Sequence, residues 1–224
     1  WSTYTFDNQL TYNLTKGKHK LNATALQSAY KNTYETYSIA ATNLPYESLW
    51  YNIGTGGTVT SASTFVRQQL ESYMGRINYT FNDKYLFTFT GRSDGASQLA
   101  EGHKYAFFPS GAFAWRLGDE NFVRDLNVFS DLKLRGSYGV IGNNRVADAA
   151  AYSLLATGAA SGGLAGSYAP NNNLINGTYP INLANPALKW ETTEEKNIGL
   201  DLGFFNQRVT ITADAYDKKT SNLL

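Results

Sequence analysis

At 224 residues the chain has room for one large domain or two small ones, and a net charge of +1 gives no electrostatic reason to bind nucleic acid. The absence of cysteine excludes disulfides and thiolate metal sites, and no run approaches the roughly 18 apolar residues of a membrane helix. Charged residues make up only 17%, aromatics reach 14%, and the mean hydropathy of −0.36 still allows a barrel in which every second residue meets lipid.

Eight segments alternate between apolar and polar with period two, the signature of strands with unlike faces: 3–14, 19–30, 68–81, 85–93, 106–117, 131–141, 189–204 and 208–218. The first carries Tyr12 on its apolar phase, interrupted by Asn8, and the second alternates weakly through Leu21, Ala23 and Ala25. The third and fourth are the clearest. Ile77, Tyr79 and Phe81 share one phase, and Tyr85, Phe87 and Phe89 resume it beyond the turn at Asn82-Asp83-Lys84. Trp115 ends the fifth, and residues 119–125 suit one helical turn with acids at its start. The apolar phase of the sixth holds Leu132 and Leu134, the seventh Ile198, Leu200, Leu202 and Phe204, and the eighth Val209 and Ile211.

The connections alternate as well. Short ones (16–18, 82–84, 118–130, 205–207) take turns with long ones (31–67, 94–105, 142–188). In an up-and-down meander all long loops then leave at one end and all short turns at the other, as in an outer-membrane barrel. A Greek-key sandwich has no reason to sort its loops so. Arg76, Lys133, Arg135, Asp201 and Asp214 keep to the polar phase, and the apolar-phase exceptions Glu71, Glu194, Lys196 and Asp217 lie near long loops. Tyr12, Tyr79, Phe81, Tyr85, Trp115 and Phe204 cluster near short turns, as an interfacial girdle requires. The expected fold is all-β, an antiparallel up-and-down transmembrane barrel wall, with the apolar phase facing outer-membrane lipid.

Chemistry is sparse. His19 and His103 have no acid at metal-ligand or triad spacing, so neither a metal, a cofactor nor catalysis is expected. Binding falls to the long loops and upper lumen, where exposed rings stack on sugars and amides or charges hydrogen-bond them. The candidates are Tyr46, Trp50 and Tyr51 in the first long loop, Arg92 and Asp94 near the second, and Tyr168, Asn171, Asn172 and Asn173 in the third. Two rival readings stay open: a complete eight-strand outer-membrane barrel with a structural or adhesive role, and a soluble carbohydrate-binding β-sandwich.

The stretches "NDKYLFTFTGRSDGAS" (82–97), "YAFFPSGAFAWRLGDENF" (105–122), "DLKLRGSYGVIGNN" (131–144) and "NPALKWETTEEKNIGLDLGFFNQRVTITADAYDKKTSNLL" (185–224) resemble the SusC/RagA family of TonB-dependent outer-membrane transporters. The resemblance implies a barrel of about 22 strands with a lumenal plug, importing glycans (oligosaccharides) or peptides across the bacterial outer membrane. It also implies energy from TonB–ExbB–ExbD and a SusD-like surface lipoprotein as partner. Residues 1–224 would be a partial barrel domain, about eight strands from its C-terminal half, with the plug and remaining strands outside them.

Overall fold

A computed structural model describes residues 1–46, 51–157, 167–168 and 175–223. Eight strands form one antiparallel sheet in the order β1-β2-β3-β4-β5-β6-β11-β12. They are β1 (Ser2–Lys16), β2 (His19–Thr42), β3 (Thr58–Phe81), β4 (Tyr85–Ala96), β5 (Tyr105–Arg116), β6 (Phe129–Asn143), β11 (Glu191–Phe204) and β12 (Val209–Ser221). All eight predicted segments are therefore strands of one sheet. Between β6 and β11 lie two short ribbons, β7 (Leu155–Thr157) with β10 (Thr178–Pro180), and β8 (Ser167–Tyr168) with β9 (Ile175–Asn176).

The turns follow from their residues. Asn82 and Asp83, the first two of the three residues between Phe81 and Tyr85, both sit at positive φ (53° and 55°), which Asn and Asp tolerate, and Gly17 supplies one such residue in the two-residue turn between β1 and β2. Between β5 and β6 the chain makes a 3₁₀ turn (Leu117–Asp119) and one α-helical turn, α1 (Asn121–Arg124).

The expectation of a loop over 31–67 is corrected: β2 and β3 stay paired from His19↔Phe81 out to Thr42↔Thr58, so the connection is only 43–57. β1 leaves β2 at Thr33, and β4 joins β3 only from Leu70. Beyond those points β2 and β3 form a free two-stranded ribbon. Twenty-four residues at ~3.3 Å each, tilted about 45°, rise roughly 56 Å, about twice the height of a barrel's apolar band.

Strand pairing fixes the faces. One carries Ile77, Phe89, Leu134, Ile198, Val209 and Ile211, all exposed, and no second layer covers them among the described residues. Asn8, the interruption of this face, lies opposite Gln27 and donates from Nδ2 to its Oε1 (2.8 Å). The other face is polar. Asn22 donates to Asn13 (2.6 Å), Asn78 to Asn22 (3.1 Å) and Thr88 to Asn78 (2.9 Å), an amide ladder across four strands. Such a ladder satisfies polar groups along a face that no second layer covers among the described residues.

The buried core is small and sits at the long-loop end. Ala96, Leu99, Ala100, Phe108, Ala151, Leu188 and Trp190 pack together, with Leu70, Ala106, Val140, Val146 and Ala150 against them. Strand ends and the connections 97–104, 144–152 and 185–190 thus share one apolar cluster. Trp190 meets Phe108 edge-on (centroids 5.3 Å) and donates from Nε1 to the carbonyl of Lys104 (2.8 Å), so its one polar atom is satisfied.

Candidate functional site

Three clusters order the wall from one end to the other. At the long-loop end, on the polar face, Arg92 Nε reaches both carboxylate oxygens of Asp94 (2.7 and 2.8 Å), and its Nη2 donates to Ser72 Oγ (3.2 Å). Ser72 faces Asp94 across the β3–β4 ladder, and both are buried, while the Arg92 side chain stays 42% exposed. The carboxylate is therefore fixed and the guanidinium keeps an open edge, an arrangement able to donate hydrogen bonds to a passing solute.

In mid-wall, Arg135 of β6 makes a two-pronged contact with Asp201 of β11 (2.9 and 3.0 Å) and reaches on to Asp214 of β12 (Nη2 to Oδ1, 3.2 Å). Thr212 donates to Asp201 (3.2 Å). Arg135, Gly199 and Asp214 are cross-strand partners in one row, and the missing side chain at Gly199 lets the guanidinium cross to β12. A Cβ there would lie 2.5 Å from Asp214 Oδ1 and 2.7 Å from Arg135 Nη2. Gly199→Ala should therefore push the mobile ends of Arg135 and Asp214 apart and lower stability by no more than about 1 kcal/mol, the worth of one partly exposed ion pair. Gly136→Ala, where an added Cβ meets nothing within 4 Å, should be near neutral. Urea unfolding midpoints of the two variants make the comparison.

At the short-turn end, rings run side by side across strands. His19 stacks with Tyr79, Tyr79 with Phe87, Phe81 with Tyr85 and Tyr85 with Trp115, at centroid separations of 5.9–6.3 Å; Phe129 meets Phe204 at 5.4 Å on the far side. Glu120 anchors this band. It accepts from Lys84 Nζ (2.9 Å), Tyr85 OH (2.8 Å) and Trp115 Nε1 (3.2 Å). The acids before α1 do not cap it; Glu120 is its N-cap residue but makes no side-chain cap bond, because its carboxylate is turned to the band instead.

Hydrogen bonds from Lys84, Tyr85 and Trp115 hold the Glu120 carboxyl at about 2, below its ordinary value near 4.3. A depressed carboxylate contributes stability that is full above the unfolded-state value and fades as pH falls through the folded one. Trp115 fluorescence should accordingly be flat from pH 7 to about pH 4.5 and change as the pH approaches 2. Glu120→Gln should abolish that acid transition.

The remaining candidates are dispersed. Tyr46 and Tyr51 are exposed in the 43–57 connection, at the tip of the β2–β3 ribbon, whereas Arg92 and Asp94 lie on the sheet. Tyr168 belongs to β8; Trp50, Asn171, Asn172 and Asn173 lie outside the described residues. His19 accompanies Tyr79 (Nδ1 to OH, 2.7 Å), far along the chain from His103 in the 97–104 connection. No group of three His, Cys, Asp or Glu residues able to hold a metal occurs among the described residues. Sequence reasoning missed Ser72 and Glu120. A charge held at the border of an aromatic run was the available signal for Glu120; for a serine on a polar phase there was none.

The family model for the β-barrel of TonB-dependent receptor-like proteins matches residues 1–224. This chain belongs to the TonB-dependent receptor β-barrel family. TonB-dependent receptor P3 of Formosa agariphila is 37% identical over 220 residues, covering 97% of this chain and 21% of that protein. TonB-dependent receptor SusC of Bacteroides thetaiotaomicron is 41% identical over 168 residues, covering 70% of this chain and 15% of that one. A solved structure of the RagAB peptide transporter superposes on 99% of this chain and 24% of its own with a TM-score of 0.82 at 24% identity, a likeness of fold. The chain thus spans about a fifth of the length of the curated relatives it matches. Among the described residues β1 and β12 are the two edges of the sheet. They do not pair with each other, so the eight strands do not close on themselves among the described residues.

Proposed function

We propose that residues 1–224 are a partial barrel domain of a longer TonB-dependent importer in the bacterial outer membrane. The plug and the other wall strands belong to the rest of that protein. The role is transport rather than catalysis: cargo captured at the loop end crosses a lumen opened when TonB–ExbB–ExbD act on the plug. A SusD-like surface lipoprotein closes the outer mouth, and the cargo is an oligosaccharide or a peptide. In this reading Ile77, Phe87, Phe89, Leu132, Leu134, Ile198, Leu200, Leu202, Val209 and Ile211 contact hydrocarbon. Tyr79, Phe81, Tyr85, Trp115 and Phe204 lie at the inner interface, and the amide ladder and the Arg135 cluster line the lumen.

The supporting observation is one sheet with two unlike faces, apolar and uncovered on one side and cross-linked by polar side chains on the other, in a chain matched over its whole length by the barrel family. Deleting the gene and restoring it, with or without functional TonB, tests the reading. Labelled oligomer uptake should vanish on deletion and return only when both proteins are present. Uptake indifferent to the gene for every oligosaccharide and peptide tried would overturn it.

A further inference from the structure

On the apolar face three cavities of about 530, 650 and 590 Å³ follow one another down β2, β3 and β4, the lower two sharing Leu10, Ala25, Gly75, Gly91 and Phe107. They make one groove because the ladder sets Ala25, Gly75 and Gly91 in a single cross-strand row, while Leu10, Tyr73, Ile77, Phe89 and Phe107 stand exposed around it. A Cβ at Gly75 would meet nothing within 4 Å. Gly75 lies six residues from Phe81 at the short turn, and Gln69, the cross-strand partner of Lys31, lies twelve. At ~3.3 Å per residue and about 45° tilt these are roughly 14 and 28 Å along the membrane normal. The floor is thus in mid-bilayer, and Lys31 stands just past the ~25 Å apolar band, at headgroup level.

Polarity changes along the groove in the order of a lipid's own parts. The upper cavity is lined by Lys31 and Lys104, both half-buried, and neither enters an ion pair among the described residues. The acid beside them, Glu71, has both carboxylate oxygens occupied, one by Tyr73 OH and the other by Tyr105 OH. Two ammonium groups against one engaged carboxylate leave this end positive, complementary to a phosphate. The middle cavity holds the Asn8–Gln27 amide pair. Gln27 Nε2 donates to nothing among the described residues, which leaves a donor at the depth of a lipid's ester carbonyls. The lowest cavity is walled by Ile77, Phe89 and Phe107, suited to hydrocarbon.

We infer that this groove seats one phosphate-headed lipid of the outer leaflet, its head on Lys31 and Lys104 and one acyl chain along Gly75 and Gly91. The inference rests on the reading that the apolar face meets the membrane, and adds to it a single retained lipid. The test uses the full-length receptor, stripped of lipid in detergent, and native mass spectrometry with dioleoyl phosphatidic acid, dioleoyl phosphatidylcholine and inorganic phosphate as probes. One phosphatidic acid should be retained per receptor, and phosphatidylcholine, whose choline shields the phosphate, should be held less firmly. Lys31→Met and Lys104→Met should each weaken phosphatidic acid retention about fivefold, the share of one basic residue near a membrane surface, and leave phosphatidylcholine unchanged. Gly75→Leu, whose side chain enters open space, should remove both lipids without moving the melting temperature. Equal retention of the two lipids, retention indifferent to the lysines or to Gly75, or displacement of the lipid by inorganic phosphate overturns the groove. So does a photo-crosslinker at Tyr73 that captures a second receptor, or another segment of the same one, instead of phosphatidic acid. Lost uptake with the lipid still held would count against the importer alone. TonB-dependent uptake by a receptor that holds no lipid would end the groove and spare the importer.

Discussion

Ile198→Arg should destabilise the membrane-assembled receptor by about 2–4 kcal/mol, although the side chain it replaces is already 66% exposed. Ile198 stands six residues from Phe204 at the short turn, roughly 14 Å along the membrane normal at ~3.3 Å per residue and about 45° tilt. That is close to the middle of a ~25 Å apolar band, where a cation costs most. In water the same exchange at so open a site would change stability by no more than about 0.5 kcal/mol. Ser137→Arg, on the exposed polar face of the neighbouring strand, is the control and should be near neutral. Denaturant unfolding in phospholipid vesicles measures both. Equal, small effects would mean that the apolar face sees water after all.

Phe108→Ala should cost about 3–5 kcal/mol, felt where the loops meet the wall. Phe108 is only 6% exposed, and its ring fills the space that a side chain at Gly142 would occupy. Removing it opens a void beneath Trp190 and Leu99 that the flanking strands, held by their ladders, cannot close. Amide exchange should accelerate in 97–104, 144–152 and 185–190 while the lower halves of β3, β4 and β11 keep their protection. Uniform acceleration through the sheet would show that the cluster supports the whole wall rather than its loop end.

Where one strand face is apolar and the other wet, the sequence states the fold plainly. Ile77-Tyr79-Phe81 and Leu132-Leu134 cannot exchange faces without burying Arg76 or Lys133 in the wrong solvent. The signal fails where both faces share a solvent. Tyr34–Thr42 and Thr58–Val66 are paired strands, yet alternation disappears there because the ribbon stands clear of the rest of the sheet. Only the run of Thr, Val and Tyr hinted at extended chain. Asn8 was an interruption in sequence and is a matched amide pair in space, since Gln27 is its partner only through the β1–β2 register. The loop-end core was invisible for a similar reason. Ala96, Ala151 and Leu188 are unremarkable singly and acquire meaning when three distant connections converge. Arg92 and Asp94 stood out singly as candidates near the second long loop, but their contact with each other and with Ser72 shows only in the fold.

The seam between β6 and β11 has a consequence for how the wall is put together. Every other pair in the sheet joins consecutive strands, three of them through turns of two to four residues, so those hairpins can zip from local contacts. β11 must instead find β6 after the chain has wandered through 144–190, and the entropy of closing that excursion falls on this one junction. It is also the junction that Arg135 spans on its way to both Asp201 and Asp214. If that junction closes last, Arg135→Met should slow it and leave an assembly species protected through β6 and open from β11 onward in pulse-labelled exchange.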